Sequence, residues 1–121
     1  MQDHKLVFPF ADADVQTLGD TATMTQTITN TYTILQRLTG FGQAVTGLSL
    51  QAAPDLKIGS RVKIDILQNA TGRNVTFGSA GSTIVGQVLT GVASDRDTVT
   101  LTWNGTAFIA DSVWQKTFDA A

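Results

Sequence analysis

The segment TATMTQTITNTYTI, residues 21–34, carries threonine at every second position from Thr21 to Thr33. Side chains alternate between the two faces of a β strand, so a period of two places all of these threonines on one face. Threonine is β-branched, which restricts its rotamers in a helix and suits the pleated surface of a sheet. The row therefore predicts a strand, and its even-numbered face supplies the residues to be buried: Met24, Ile28, Tyr32 and Ile34.

This strand is too long for a small domain if it runs unbroken. Residues 21–34 in one strand would extend roughly 46 Å, whereas strands usually have about 5 to 6 residues. We predict that the row bends, changes sheet or pairs with more than one partner, and that part of it leaves the domain's own sheet to contact a neighbouring subunit. An ice-binding surface is disfavoured, because it needs several stacked threonine rows and the repeat that would stack them is absent.

The rest of the chain consists of short alternating runs separated by turn residues. Residues 61–67 alternate cleanly, and residues 74–77 are predicted to return from them as a hairpin. The Asn104-Gly105 pair predicts a second hairpin over 98–110, with a type I′ turn. Because connections are short and no helical period is sustained, we expect an all-β fold, specifically an antiparallel β-sandwich of jelly-roll type.

The N-terminal segment departs from this pattern, because it holds a short apolar run interrupted by Pro9. Proline lacks the backbone N–H and keeps the preceding residue extended, so we interpret residues 1–20 as an extended arm and residues 21–121 as a single domain. The arm either closes one end of the domain's own core or docks on a neighbouring subunit. The residues expected at subunit or capsid contacts are Leu6, Val7, Phe8, Phe10, Met24, Ile28 and Tyr32.

Composition excludes several functional classes. Only 15% of the residues are charged and the net charge is -2, whereas globular domains average about 25% charged residues. With no basic patch, we expect no binding to nucleic acid or to anionic membranes. There is no cysteine, so disulfides and thiolate metal sites are impossible. No secretory signal and no apolar run long enough to span a membrane is visible, which favours synthesis in a cytoplasm.

Metal and histidine chemistry find little support in the sequence. His4 is the one histidine, and alone it cannot build a zinc site or a Cys-His pair. Asp12, Asp14 and Asp20 lack the spacing of an EF-hand loop, so we expect a solvated acidic loop.

A carboxylate pair for acid-base catalysis is also not predicted. Asp95 and Asp97 flank Arg96 in a predicted polar turn, where the side chains are expected to be exposed or to neutralise on the arginine. We therefore expect no catalytic residue, no cofactor and no metal, and a protein that is not an enzyme.

Residues 56–110 contain a glycine-led alternating strand at 59–67, a turn at 68–72 and a closing hairpin at 97–108. This arrangement resembles a small β module of tailed-bacteriophage structural proteins, including tail-fibre segments and capsid decoration proteins. The resemblance covers about half of the chain and includes no catalytic residue. It implies a virion structural protein.

Chain length favours decoration over a fibre tip, because a tip usually ends a long chain with a trimeric shaft. The resemblance then implies a capsid decoration (cement) protein, made in the host cytoplasm, that binds the major capsid protein on the outer surface of the head lattice. We expect a homotrimer held by the arm and the threonine strand. The alternative is a tail or fibre component, or an adhesin, that binds a host surface glycan. That role needs exposed aromatic side chains, and the candidates are Tyr32, Phe41, Trp103 and Trp114.

Overall fold

The computed structural model describes residues 13–78, 83–85 and 89–118, and all regular structure in these ranges is β strand. The strands are β1 (Asp14–Thr17), β2 (Thr23–Ile28), β3 (Tyr32–Arg37), β4 (Val45–Ala52), β5 (Arg61–Leu67), β6 (Val75–Phe77), β7 (Thr83–Val85), β8 (Asp95–Trp103), β9 (Ala107–Ala110) and β10 (Gln115–Phe118). The all-β prediction is confirmed for this part of the chain. No helix long and apolar enough to cross a bilayer occurs among the described residues.

Two sheets share the strands. The large sheet has the order β1-β3-β5-β8-β9-β7, with β10 also pairing with β8, and the small sheet has the order β2-β4-β6. The first six strands alternate between the sheets, and each pairs in parallel with the strand two places along the chain. Parallel neighbours need a crossover connection, and here each crossover contains a strand of the other sheet.

Antiparallel pairing throughout, as expected for a jelly roll, is not confirmed. The small sheet is entirely parallel and the large sheet is mixed. The predicted hairpin between residues 61–67 and 74–77 is wrong, because β5 and β6 belong to different sheets. In the connection between them, Gln68 accepts from the backbone N of Arg73 at 3.0 Å and donates to the carbonyl O of Arg73 at 3.1 Å.

The last part of the chain covers β5 with antiparallel strands. β8 pairs with β5 along one edge, and its other edge is shared by β9 and β10. The predicted β8–β9 hairpin is confirmed, but its turn is not type I′, because Gly105 (φ 97°) has a positive φ and Asn104 does not. Instead, Oδ1 of Asn104 accepts from the backbone N of Thr106 and of Ala107, both at 2.8 Å.

One hydrophobic core lies between the sheets. The alternation of β5 turns Val62, Ile64 and Ile66 inward, where they are fully buried. Residues from both sheets join them, including Ile28, Leu35, Leu48, Leu50, Val99 and Leu101. Burial of this apolar surface is the main force that holds the two sheets together.

The threonine row is split by a bend at residues 29–31, and it changes sheet there, which is one of the predicted outcomes. In β2 the odd threonines are exposed and Ile28 is buried, as predicted. In β3 the buried face instead carries odd-numbered residues, Thr33 and Leu35. The prediction that all seven threonines share one face is therefore wrong.

The prediction that part of the row leaves the domain's own sheets is also wrong. β2 pairs with β4, and β3 pairs with β1 and β5, so both strands belong to sheets of their own chain. Of the predicted arm, Asp14–Thr17 forms β1 of the large sheet, and residues 1–12 lie outside the described ranges.

Candidate functional site: the open edge of β2

β2 is the outermost strand of the small sheet, so one of its edges has no neighbouring strand in the described structure. Its even-numbered residues direct their backbone groups toward β4. The carbonyl O of Ala22 accepts from the N of Thr46 at 2.8 Å, and that of Ile28 accepts from the N of Ala53 at 2.9 Å. Backbone groups alternate sides along a strand, so the odd-numbered residues direct theirs to the open edge.

Side chains form hydrogen bonds with backbone carbonyl groups at both ends of this edge but not at its centre. Thr21 Oγ1 donates to the carbonyl O of Thr23 at 2.8 Å, and Gln16 Nε2 donates to that of Thr27 at 3.0 Å. Within the described ranges, nothing bonds to the N–H and C=O of Thr25 at the edge. A strand edge with free backbone groups is a template for pairing with another segment.

The outward face of β2 is a single row of hydroxyl and methyl groups. Thr23, Thr25 and Thr27 are exposed and uncharged. Their register partners on β4 are Gly47, Ser49 and Gln51. Because the next strand continues no threonine row, this face is a line of hydroxyls and offers no ice-binding plane.

Amide and carboxylate side chains close the space between β1 and β2 on the inner side of the small sheet. Gln26 Nε2 donates to Gln16 Oε1 at 2.8 Å, and Gln16 Nε2 donates to Asp14 Oδ2 at 2.9 Å. These bonds connect β1 to β2 across the gap between the sheets. Polar side chains therefore already close the space between the two sheets on the side where β2 presents its open edge.

The predicted contact residues have different environments. Met24 and Ile28 lie on β2; Ile28 is fully buried in the chain's own core, and Met24 packs against that core. Tyr32 is half-buried at the start of β3, in the other sheet. The remaining ones, Leu6, Val7, Phe8 and Phe10, lie outside the described residues. The open edge itself was not predicted, because strand order cannot be deduced from the spacing of threonines.

An aromatic platform for a glycan is not formed by the four candidate side chains. Phe41, Trp103 and Trp114 are buried, and Tyr32 is half-buried. The Trp103 ring packs against Phe108 at a centroid distance of 4.7 Å, and Trp114 stacks on Phe77 at 6.2 Å. These tryptophans belong to the core.

The expectation of exposed charges at residues 95–97 is wrong for the two carboxylates, whereas Arg96 is exposed. Asp95 and Asp97 belong to β8 and are only 1% and 0% exposed. Lys116 Nζ lies 3.2 Å from Asp97 Oδ1 and 3.8 Å from Asp95 Oδ2. Arg96 forms a bidentate ion pair with Asp65, with N–O distances of 3.0 and 2.7 Å.

This buried cluster is better suited to joining strands than to catalysis. Gln68 Nε2 donates to Asp97 Oδ2 at 3.2 Å, and Lys116 Nζ donates to the carbonyl O of Thr90 at 2.7 Å. Oδ1 of Asp95 is buried, and no described residue forms a hydrogen bond with it. Lys116 already supplies the counter-charge, and no group of three or more metal-ligating side chains occurs in the described part of the chain.

Asp20 forms hydrogen bonds that hold the loop containing Gly42 and Gln43. Its Oδ1 accepts from the N of Gly42 at 2.8 Å and from Gln43 Nε2 at 2.6 Å, while Arg37 Nη2 lies 3.7 Å from its Oδ2. The carboxylate is exposed, as expected for an acidic loop, but its oxygens are engaged. His4 and Asp12 lie outside the described residues.

A polar depression of about 410 Å³ lies where the threonine row changes sheet. Its lining combines hydroxyl, amide, carboxylate and ammonium groups, from Thr29, Asn30, Thr31, Asp55, Leu56 and Lys57.

No known protein family and no curated protein sequence matches the chain.

Proposed function

We propose that the chain is a bacteriophage virion structural protein that acts as a capsid decoration protein on the outer surface of the head lattice. The observation that carries the proposal is the open edge of β2, where no described residue bonds to the backbone of Thr25 and the outward face is uncharged. Exposed strand edges bind other chains through main-chain hydrogen bonds. A decoration protein needs extended contact of this kind and no catalysis. The resemblance of residues 56–110 supports the phage setting.

In this proposal the protein is a homotrimer and its second partner is the major capsid protein. A protein that binds the assembled head, and not the free subunits, stabilises the head by mass action. The stabilisation is about 2.7 kcal/mol per site when the free concentration is a hundredfold above Kd. With only 15% charged residues, the contact is expected to depend weakly on salt, because screening acts on charges.

The test is sedimentation with expanded, undecorated heads of the phage that encodes the chain. We expect saturable binding, little change when the salt concentration is raised tenfold, and a higher temperature of head disassembly. Thr25→Lys places a charge at the open edge and should reduce binding. Thr17→Lys, at an exposed position on the edge strand β1, is the matched control and should bind normally. Attachment to host cells without binding to heads would overturn the proposal.

The polar depression favours one second candidate, an adhesin or tail component that binds a host glycan. Its hydroxyl, amide and carboxylate groups are the kind that hydrogen-bond to sugars, although the three candidate aromatics Phe41, Trp103 and Trp114 are buried. Asp55→Asn separates the two functions. A glycan-binding role predicts weaker attachment of this variant to host cells, whereas decoration predicts unchanged binding to heads.

A further inference from the structure

We propose that Lys116 and Asp97 condense to an isopeptide bond, an amide between Nζ of Lys116 and Cγ of Asp97, with Asp95 as the proton carrier. The ion pair between the two side chains is the arrangement from which this bond forms. The inference goes beyond the proposed function, because it concerns a single chain by itself. It is argued from the positions of four side chains in and beside the β8–β10 pair: Gln68, Asp95, Asp97 and Lys116.

The fold brings the two reacting groups together. Lys116 and Asp97 are direct register partners in the antiparallel β8–β10 pair, and Nζ lies 3.2 Å from Oδ1. Nζ is therefore next to the carboxyl carbon that it attacks. Groups held in contact in this way react far faster than the same groups free in solution. Nζ is also held from a second side, because it donates to the carbonyl O of Thr90 at 2.7 Å.

Gln68 supplies a fixed donor to the reacting carboxyl group. Its Nε2 donates to Asp97 Oδ2 at 3.2 Å. The backbone of Arg73 holds the same amide at both ends, accepting from Nε2 at 3.1 Å and donating to Oε1 at 3.0 Å. Gln68 is buried, so water does not compete for these bonds. A preorganised donor of this kind stabilises the negative charge that develops on Oδ2 when Cγ is attacked.

Asp95 is a second buried carboxylate, and the ion pair alone does not explain it. It is fully buried, its Oδ2 lies 3.8 Å from Nζ of Lys116, and no described residue forms a hydrogen bond with its Oδ1. A buried polar atom without a partner is costly and calls for a functional reason. Proton transfer gives that reason, because a group that accepts and releases a proton needs a free oxygen beside the reacting atoms.

The condensation converts one ammonium and one carboxylate into one amide and one water. Asp95 accepts a proton from Lys116, and the freed electron pair of Nζ forms a bond to Cγ of Asp97. The bond from Cγ to Oδ1 then breaks, and Oδ1 leaves as water. Two of the three protons of Nζ reach Oδ1 by way of Asp95, and the third stays on the amide nitrogen. No atom is oxidised or reduced. The side chain of Lys116 is 36% exposed, which gives the water a way out.

The bond fixes the last strand of the described structure. β10 has only four residues and lies near the C-terminus, where strands open easily. The chain contains no cysteine, so a disulfide cannot hold this strand. An amide between the side chains of β8 and β10 provides a covalent link and needs no oxidising compartment.

The mass of the full-length folded chain tests the bond directly. We expect the purified protein, denatured only for the measurement, to have a mass one water below that of its sequence. The sequence contains no Asp-Gly pair, the usual site at which an aspartate loses water by closing on its own backbone. A parent chain with the full mass of its sequence would overturn the proposal, and this result does not depend on the folding of any variant.

Trypsin digestion assigns the bond to one of the two carboxylates. Trypsin cleaves after Arg96, which separates Asp95 from Asp97, and it does not cleave after a lysine whose side chain is an amide. A bond to Asp97 predicts a single peptide, residues 97–121, that is one water lighter than its sequence. Separate peptides 97–116 and 117–121 would overturn the proposal. A branched product in which residues 97–121 are joined to residues 74–96 would also overturn it, because that product places the bond on Asp95.

Three variants test the roles of the side chains by the same mass measurement. Lys116→Arg keeps a cation beside both carboxylates but cannot form the amide, so we expect the full mass of its sequence. Asp95→Asn keeps the size of the side chain but cannot carry the proton, so we expect most of the water loss to disappear. Lys57→Arg is the matched control, at an exposed lysine, and should lose one water as the parent does. Water loss that persists in Lys116→Arg or in Asp95→Asn would overturn the proposal.

Discussion

The ammonium group of Lys116 lies 3.2 Å from Oδ1 of Asp97, its direct register partner across the β8–β10 pair. Asp97 is fully buried, and Asp95 on the same face of β8 lies 3.8 Å from the same cation. Lys116 also donates to the carbonyl O of Thr90. One lysine on the last strand thus lies between two buried carboxylates, and it attaches that strand to β8.

Removing this cation should destabilise the fold. Lys116→Met keeps much of the side-chain stem but leaves the carboxylates of Asp95 and Asp97 buried without a counter-charge. Breaking a buried ion pair in this way costs about 3 kcal/mol, and we expect this loss in the free energy of unfolding measured with urea. Lys57→Met is the control, because Lys57 is exposed and outside the ion pairs of the described residues. Equal stability of the two variants would show that Lys116 does not stabilise the buried carboxylates.

The buried hydroxyl of Thr33 predicts a stabilising substitution. Thr33 is fully buried, and its Oγ1 has no hydrogen-bond partner among the described residues. Thr33→Val replaces the hydroxyl by a methyl group of similar size, so the desolvation cost disappears, and we expect a gain of about 1 kcal/mol in the free energy of unfolding. Thr25→Val, at an exposed position, should leave stability nearly unchanged. A loss of stability in Thr33→Val would contradict the absence of a partner for Oγ1.

Gly91 packs too closely against backbone to accept a side chain. A Cβ at this position would overlap the carbonyl O and the backbone N of Arg73. Since backbone atoms cannot rotate away, Gly91→Ala is expected to lower the free energy of unfolding by about 3 kcal/mol. Gly19→Ala is the matched control, because no atom of the described residues other than its chain neighbours lies within 4 Å of its Cβ position. Thermal unfolding of the two variants checks the difference, and similar midpoints would contradict this packing.

Asp20 is expected to act through hydrogen bonds and not through calcium. Asp20→Ala removes the acceptor for Gly42 N and Gln43 Nε2, and we expect a loss of about 1 to 2 kcal/mol in the free energy of unfolding. Millimolar calcium should leave the thermal midpoint of the parent protein unchanged. Asp55→Ala, at an exposed loop position, should change stability little. A rise of the midpoint with calcium would restore the metal-binding interpretation of the acidic loop.

Local features of the fold could be predicted from the sequence because the information for them is local. The alternation of Val62, Ile64 and Ile66 indicates both the strand and its buried face. Asn104 and Gly105 indicate a reversal between two strands. The pairing of strands was not predictable in the same way: alternation indicates which side chains point inward, but the direction of the neighbouring strand depends on connections many residues away.

The candidate site shows the same division. The threonine row indicates the exposed face of β2, but the open edge depends on strand order. Asp95 and Asp97 look like solvated charges in the sequence, since their cation, Lys116, lies 19 residues beyond Asp97. Distant charge partners leave no trace in local spacing.

The alternation of the first six strands between the two sheets also determines the order in which contacts become possible as the nascent chain leaves the ribosome. Each of the first four strands finds its next parallel partner roughly 20 to 30 residues later, so these pairs can form before the later strands are synthesised. The far edge of β5 is covered only when β8 has emerged. The end of the domain that carries the open edge of β2 can therefore fold first, while the chain is still being translated.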